Sequence, residues 1–441
     1  MEHSLTELLK NSINQIDNLY DYYLSQEKAI NQSINDRLKK YKYGIALVRF
    51  FIAQAHPESN IQIKSDEENL IETMLDEFEI IKNDETIRIK YKLKDSFNVK
   101  EEYELNPNIA KDEVMRLLQQ PTILSESVLM MLLIKYEDSI SKLFRYLIEK
   151  HPDAFLSDKK ISYSELMSMK SNIDYIKDRF VDKEIDEIMR EPISSWYDSF
   201  QKRQKVNFLF EDNVFNSFKE IYYRRNLIVH NQGIVNDSYL GSVNNASVKL
   251  GDKLIVDKEY LKSAFSLTNM LLIDTYFGMR KFSTNKEEFE NWIIDYGYDC
   301  LVEKKWSQAK YIFKVILQDK DMQSLNRLVC RVNYWIAVKK TDGIDAIIKE
   351  VDSLDVSALQ LPFHVAKAAL LDDNEAVLEN LEKCIDNNEI SSYYIKTWPL
   401  LEGFRNSTEY QILIDKHKEY MEIDEFNPTN EGEQLQPSTN E

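Results

Sequence analysis

The chain is 441 residues long and 43% apolar. That is too much for one core and points to about three domains of ordinary size near 150 residues. Only 9 Gly and 9 Pro punctuate it, so an all-β architecture of hairpins is excluded and long helices are expected. With 75 acidic against 56 basic residues the net charge is −19, which excludes sequence-independent coating of nucleic acid by a broadly basic surface and leaves only local contacts.

The three cysteines, Cys300, Cys330 and Cys384, are odd in number and lack any CxxC spacing, so they read as reduced core thiols and neither a disulfide framework nor a zinc site is expected. The N-terminal segment Met1 to Glu7 has no basic and apolar leader. Apolar runs such as Val128 to Ile134 fall well short of the ~20 residues that cross a bilayer. The expectation is a cytoplasmic protein with no membrane partner.

From Leu5 to about Gln54, Leu8, Leu9, Ile13, Ile16, Leu19, Tyr20 and Tyr23 recur at spacings of three and four, predicting a long helix or a helix pair. Ile87, Ile89, Tyr91 and Leu93 alternate with Arg88, Lys90 and Lys92, predicting a half-buried strand. Asn83-Asp84 fits a turn before it, and Phe97, Val99 and Tyr103 fit a further strand. An apolar helix is expected from Pro121, carrying Val128, Leu129, Leu132, Leu133, Tyr136, Ile140, Leu143, Phe144 and Leu147, and ending before His151-Pro152. Helices follow over 164–182, over 184–204 with a break near Pro192, and over 214–230. Asn231-Gln232-Gly233 stops the last of these, because Gly supplies a left-handed terminus. Gly251-Asp252 between Val248-Lys249-Leu250 and Leu254-Ile255-Val256 predicts a short hairpin. A helix over 258–280 and a charged linker over 283–290 come next.

Beyond the linker, Gly297, Ala309 and Phe313 stand at tetratricopeptide offsets, where small residues let paired helices approach and an aromatic fills the gap. Ala346 and Ala376 echo Ala309 at spacings of 37 and 30 residues, around the regular value of about 34, so the repeats are degenerate. A plain helical bundle accounts for this region nearly as well. The polar tail from Asn427 is expected to be disordered. The domains are thus 1–120, a helical region with a small β element; 121–282, a helical domain; 283–424, a helical-repeat region; and 425–441, the tail.

The sharpest chemical signature is Arg225-Asn226-Leu227-Ile228-Val229-His230. Asn226 and His230 stand one turn apart on one helix face, with Arg225 to the side. A histidine near neutrality can take or give a proton, and an arginine fork can bind a phosphate and its developing charge, so this combination suits phosphate chemistry without a metal. From Gln201 to His230 six basic residues, among them Lys219, Arg224 and Arg225, face three acidic ones. A bare arginine and histidine at this spacing also suits a helix C-terminus, where cations meet the helix dipole. His3, His56, His151, His364 and His417 have no partner at ligand spacing, and neither GxxxxGK[ST] nor GxGxxG occurs. No metal or cofactor is expected.

The segment Tyr222 to Val235, with its Arg-Asn-x-x-x-His core and the later Tyr239-Leu240 pair, resembles the HEPN domains (higher eukaryotes and prokaryotes nucleotide-binding), and its wording is similar to abortive-infection members. The likeness spans roughly Thr122 to Lys281. It implies a mainly α, HEPN-like helical bundle with a short β-hairpin, beside the small N-terminal α/β element and the C-terminal repeats. It further implies a metal-independent endoribonuclease acting through the 2′-hydroxyl of RNA, a conditional toxin in phage defence, with Arg225, Asn226 and His230 catalytic. Glu137, or Asp138 beside it, stands for the acidic residue many members carry on the first helix; Arg224 and Lys219 are candidate RNA contacts. The resemblance also implies a homodimer through this domain, and a regulator or phage trigger would find its place on the C-terminal repeats. The alternative is a catalytically inactive HEPN and helical-repeat adaptor that binds proteins.

Overall fold

The computed structural model describes residues 4–55, 63, 65–82, 87–97, 107–168, 173–206, 208–243, 248–320 and 322–422. Twenty α-helices dominate them, with a single two-stranded sheet among the described residues. The architecture is therefore mainly α, as the scarcity of Gly and Pro requires. The expected turn at Asn83-Asp84, the strand through Val99 and Tyr103, and the tail from Asn427 lie outside the described residues.

The chain forms two units: 1–16, 134–222 and 263–441 make the first, and 17–133 with 223–262 the second. Helix α1 (Leu5–Lys40) opens with a reciprocal capping box, Glu7 N–H donating to Ser4 Oγ at 3.1 Å and Ser4 N–H to Glu7 Oε2 at 2.9 Å. It is followed by α2 (Lys42–Ala55), so the expected helix pair is present, broken at Tyr41. After α3 (Ser65–Met74), strands β1 (Leu75–Lys82) and β2 (Ile87–Leu93) pair antiparallel with Phe78 opposite Tyr91 and Ile80 opposite Ile89. Their apolar face rests on a cluster of Ala46, Leu47, Phe51, Ile71 and Met74. Phe97 joins this cluster edge-on to Tyr43 from a turn instead of extending the sheet.

Helix α4 (Pro107–Lys150) begins well before Pro121 and runs through it, so the proline expected to start a helix lies inside one. Its stretch Asp112–Lys150 holds an 18-residue window of mean hydropathy 1.4, apolar and long enough by composition to cross a bilayer, with a third of that window buried. Isolated polar residues hide this when apolar runs alone are counted. Short helices α5 (Asp153–Leu156) and α6 (Tyr163–Ser168) lead to α7 (Ile173–Met189) and α8 (Ile193–Gln204), the break falling at Pro192 as expected. Then come α9 (Asp212–Asn231), the six-residue α10 (Asp237–Ser242) and α11 (Lys258–Gly278).

The core of the first unit is aromatic and threaded by hydroxyls. Phe144 stacks on Phe200 with ring centroids 4.0 Å apart. Buried Tyr136, Tyr197 and Thr275 form a hydroxyl chain, with the Tyr197–Thr275 link at 3.0 Å, and Ser139 donates to Ser12 at 2.7 Å. Buried hydroxyls tolerate few other arrangements, because each unmet one costs about 1–3 kcal/mol.

The stretch 283–290 is not a linker. Asn285 caps α12 (Lys286–Val302) by accepting the Glu288 N–H at 3.1 Å, Glu287 and Glu288 occupy the favourable first turn, and Phe289 is fully buried. Helix α13 (Trp306–Ile316) packs on α12, and a Cβ on buried Gly297 would come within 2.8 Å of the Phe313 ring. Next are α14 (Ser324–Thr341) and α15 (Ile348–Asp352), and Ala346 falls in an exposed 3-10 turn between them, so the repeat echo fails there. Helix α16 (Leu361–Leu370) packs on α17 (Asn374–Asp386), which carries Ala376; α18 (Ser392–Thr397), α19 (Thr408–Lys416) and α20 (Lys418–Glu422) complete the first unit.

Asp274 on α11 ties this unit together from the inside. Its fully buried carboxylate accepts the Leu209 N–H at 3.0 Å and the Tyr311 O–H at 2.7 Å. Burial pushes its pKa from 3.8 up to about 6, the two hydrogen bonds pulling the other way. A carboxyl whose folded pKa is raised stabilises the fold when protonated, so its contribution is full below the unfolded value and is lost as pH rises through about 6. Between pH 5 and pH 7.5 the wild type should lose about 1–2 kcal/mol relative to Asp274→Asn in urea unfolding. An unchanged gap would contradict the assignment.

Candidate active site

Helix α9 carries the signature segment in its last two turns. Phe218 and Ile221 are buried in the first unit. In the second unit, buried Leu227 packs with Val235 and Tyr239, and Tyr223, Leu240, Val243, Val248 and Leu254 close around them. This small cluster decides which side chains of the segment are consumed by packing and which reach the surface.

The helix ends through two successive left-handed residues, Gln232 at φ 55° and Gly233 at φ 77°. The Gly233 N–H donates back to the Leu227 carbonyl at 3.0 Å, and Asn231 Nδ2 donates to the Ile234 carbonyl at 2.6 Å. The expected stop is there, with Gln232 as well as the glycine in the left-handed region.

The segment after it does not pair as expected. Gly251 turns at φ 87°, with the Lys249 N–H held by the Asp252 carboxylate at 2.7 Å, yet residues 248–250 form no ladder with 254–256. Instead 251–254 pairs with the chain that leaves α9. Val235 N–H donates to Asp252 O at 2.9 Å, Leu254 N–H to Gly233 O at 2.9 Å, and Gly251 N–H to Val235 O at 3.0 Å, which sets Ile234 opposite Lys253. The short β-hairpin of the sequence reading is thus replaced, among the described residues, by a flap laid back over the helix exit. Val235 and Leu254 supply an inner apolar face for Leu227, and that burial outweighs the local turn preference.

The two arginines have different jobs. Arg224 is committed to the flap: its guanidinium carbon lies 3.8 Å from the Tyr260 ring centroid and Nη1 donates to the Ile255 carbonyl at 3.0 Å. Arg225 is half-buried, and its Nη1 donates to Asn226 Oδ1 at 3.2 Å, which draws the guanidinium toward the face of Asn226 and His230. Asn226 and His230 are exposed, and the His230 ring takes no hydrogen-bond partner among the described residues. It stands in the last turn of α9.

Glu137 and Lys219 belong to the first unit. Glu137 accepts a short hydrogen bond from the Tyr222 hydroxyl, and Tyr222 in turn sits edge-on to Trp196. Its neighbour Asp138 is paired with Lys142 at 2.7 Å. Lys219 lies 5.6 Å from the Phe215 ring centroid. No family model, curated protein or solved structure matches the chain.

Tyr222, Tyr260 and the flap backbone are the supporting residues that sequence reasoning missed. The Arg224-Arg225 doublet is visible in the sequence, but nothing there says which arginine is bound to structure. Among the described residues no three His, Cys, Asp or Glu side chains gather as a metal site.

Two glycines separate backbone strain from steric contact at this site. A Cβ on Gly233 would meet the Leu254 carbonyl at 3.1 Å, whereas one on Gly251 would meet nothing within 4 Å. Gly251→Ala should cost only the left-handed backbone penalty of about 1–2 kcal/mol, and Gly233→Ala distinctly more, by chemical denaturation. Equal losses would show that the flap does not press on Gly233.

Proposed function

We propose that this chain is a HEPN-type, metal-independent endoribonuclease whose catalytic residues are Arg225, Asn226 and His230, and that it acts as a conditional toxin in phage defence. One observation carries the reading. Packing and the flap consume Tyr223, Arg224 and Leu227, while Asn226 and His230 remain exposed at the helix end with Arg225 hydrogen-bonded beside them.

In this mechanism Arg225 binds a non-bridging oxygen of the scissile phosphate, and Asn226 holds the guanidinium in place. A general base takes the proton of the RNA 2′-hydroxyl, the 2′-oxygen bonds to phosphorus, and the bond from phosphorus to the 5′-oxygen breaks. A general acid returns a proton to that 5′-oxygen, leaving a 2′,3′-cyclic phosphate. One histidine supplies one of these two roles, and the partner subunit's His230 would supply the other. Val229, Ile234, Leu250 and Ile255 are exposed large apolar residues at and beside the same helix end. Such a rim suits the docking of a second copy. The C-terminal helices offer surface for a regulator or phage trigger that keeps the toxin silent.

The apolar rim also favours a second reading, an adaptor of HEPN fold that seats a protein partner there without catalysis. Purified protein incubated with RNA in excess EDTA separates the two. Cleavage should persist in the chelator and fall by at least ~10²-fold in Arg225→Ala and in His230→Ala, the scale of a lost acid–base group. In a dimer with composite sites, mixing these two variants should alter activity relative to either alone. Absence of cleavage by wild type with and without chelator, on a broad set of RNAs, favours the adaptor.

A further inference from the structure

Helix α4 is more apolar than its share of the core requires. Only a third of its apolar 18-residue window is buried. One side of the helix accounts for that third, with Leu117, Val128, Leu129, Leu132 and Leu133 buried. On the other side Ile123, Met131 and Ile134 are 58%, 44% and 57% exposed, and exposed Ser127 lies among them. The outward face of a helix is ordinarily polar, so a row of three large apolar side chains there marks a surface that packs against something.

The row is symmetric about Ser127. Steps of four, three, four and four residues lead from it back to Ile123, Gln120, Arg116 and Asp112, and the same steps lead forward to Met131, Ile134, Asp138 and Lys142. Steps of three and four keep all of them on one side of the helix. Laid antiparallel on a second copy with Ser127 at the centre, the row sets Ile123 against the partner's Met131 and Gln120 against the partner's Ile134. Arg116 then faces the partner's Asp138, and Asp112 the partner's Lys142. Parallel pairing would instead put like charge on like at both ends. Arg116 and Asp138 already have partners in their own helix, Glu113 at 2.9 Å and Lys142 at 2.7 Å, yet their side chains stay 64% and 46% exposed. Contacts between copies add to those ties and need no free charge.

We propose that this face of α4 is a self-docking surface, on which a second copy of the chain lies antiparallel with the two-fold axis at Ser127. The apolar centre supplies the burial, and the opposite charges at the two ends select a second copy and set its direction. The seam from Asp112 to Lys142 is about 45 Å long. A bilayer would cover the helix on every side, whereas one side of α4 is taken up by the core. The surface is made by α4 alone. It uses none of the rim residues at the end of α9 and does not rest on the nuclease reading.

The test is disulfide trapping in the full chain. Cys300, Cys330 and Cys384 are buried, so Ser127→Cys supplies an exposed thiol on the proposed axis. Diamide should couple it into a covalent dimer at least ten-fold faster than Leu118→Cys, a position that is exposed on α4 but off the row. Adding Met131→Lys should remove that advantage. Arg116→Asp should slow coupling at position 127, and Asp138→Arg in the same chain should restore it. This exchange leaves both intrahelical ion pairs broken, so the recovery reports only the contact between copies. Coupling at 127 no faster than at 118, no recovery in the double exchange, or binding of the wild type to phosphatidylcholine vesicles with no coupling at 127 would overturn the proposal.

Discussion

The exposed helix end depends on one backbone arrangement, the return of residues 251–254 onto the chain leaving α9. Gly233 is its hinge, reaching back to Leu227 with its N–H and accepting Leu254 with its carbonyl. Because the paired segments carry Val235 and Leu254 inward, Leu227 is covered and α9 is held by its inner side. Asn226 and His230 are left outside as a geometric consequence. Arg224 locks the same flap from the helix side through Tyr260 and Ile255, so the helix end and the flap hold each other.

Polar ties also run through the first unit. Glu137 meets Tyr222, Asp274 meets Leu209 and Tyr311, and Arg280 meets Asp319 at 2.6 Å. The last two ties bring residues of α11 and the turn after it onto α13 and the loop beyond it. A buried carboxylate or guanidinium left without such a partner is strongly unfavourable, so these contacts specify how the later helices pack on the earlier ones.

Periodicity made the helices legible, because apolar spacing at three and four leaves few alternatives over long stretches such as 5–40 and 212–231. Strand β2 was legible for the same reason at period two. The errors fall where a distant partner outweighs a local preference. Pro121 reads as a start but lies inside α4. Gly251-Asp252 makes its turn, but the strands beside it are drawn to Gly233 and Val235 by the apolar surface of Leu227. The charged stretch 283–290 looks like a linker until Phe289 is seen to be core and 286–288 the exposed first turn of a helix. At the site itself, residue types and helical phase were readable in the order Arg225, Asn226, His230. The division of labour between Arg224 and Arg225 was not, because it is set by Tyr260, 36 positions further along the sequence.

The central claim is that the α9 terminus is built for transfer of a phosphoryl group to a neighbouring 2′-oxygen. It is tested most directly on an RNA that the protein cuts at a defined bond, remade with a single 2′-deoxynucleotide on the 5′ side of that bond. The account predicts that cleavage there is abolished while binding of the substituted strand is retained, and that the unmodified strand ends in a 2′,3′-cyclic phosphate. Cutting of the 2′-deoxy substrate at the same bond, or a product ending in a 3′-hydroxyl, would contradict it.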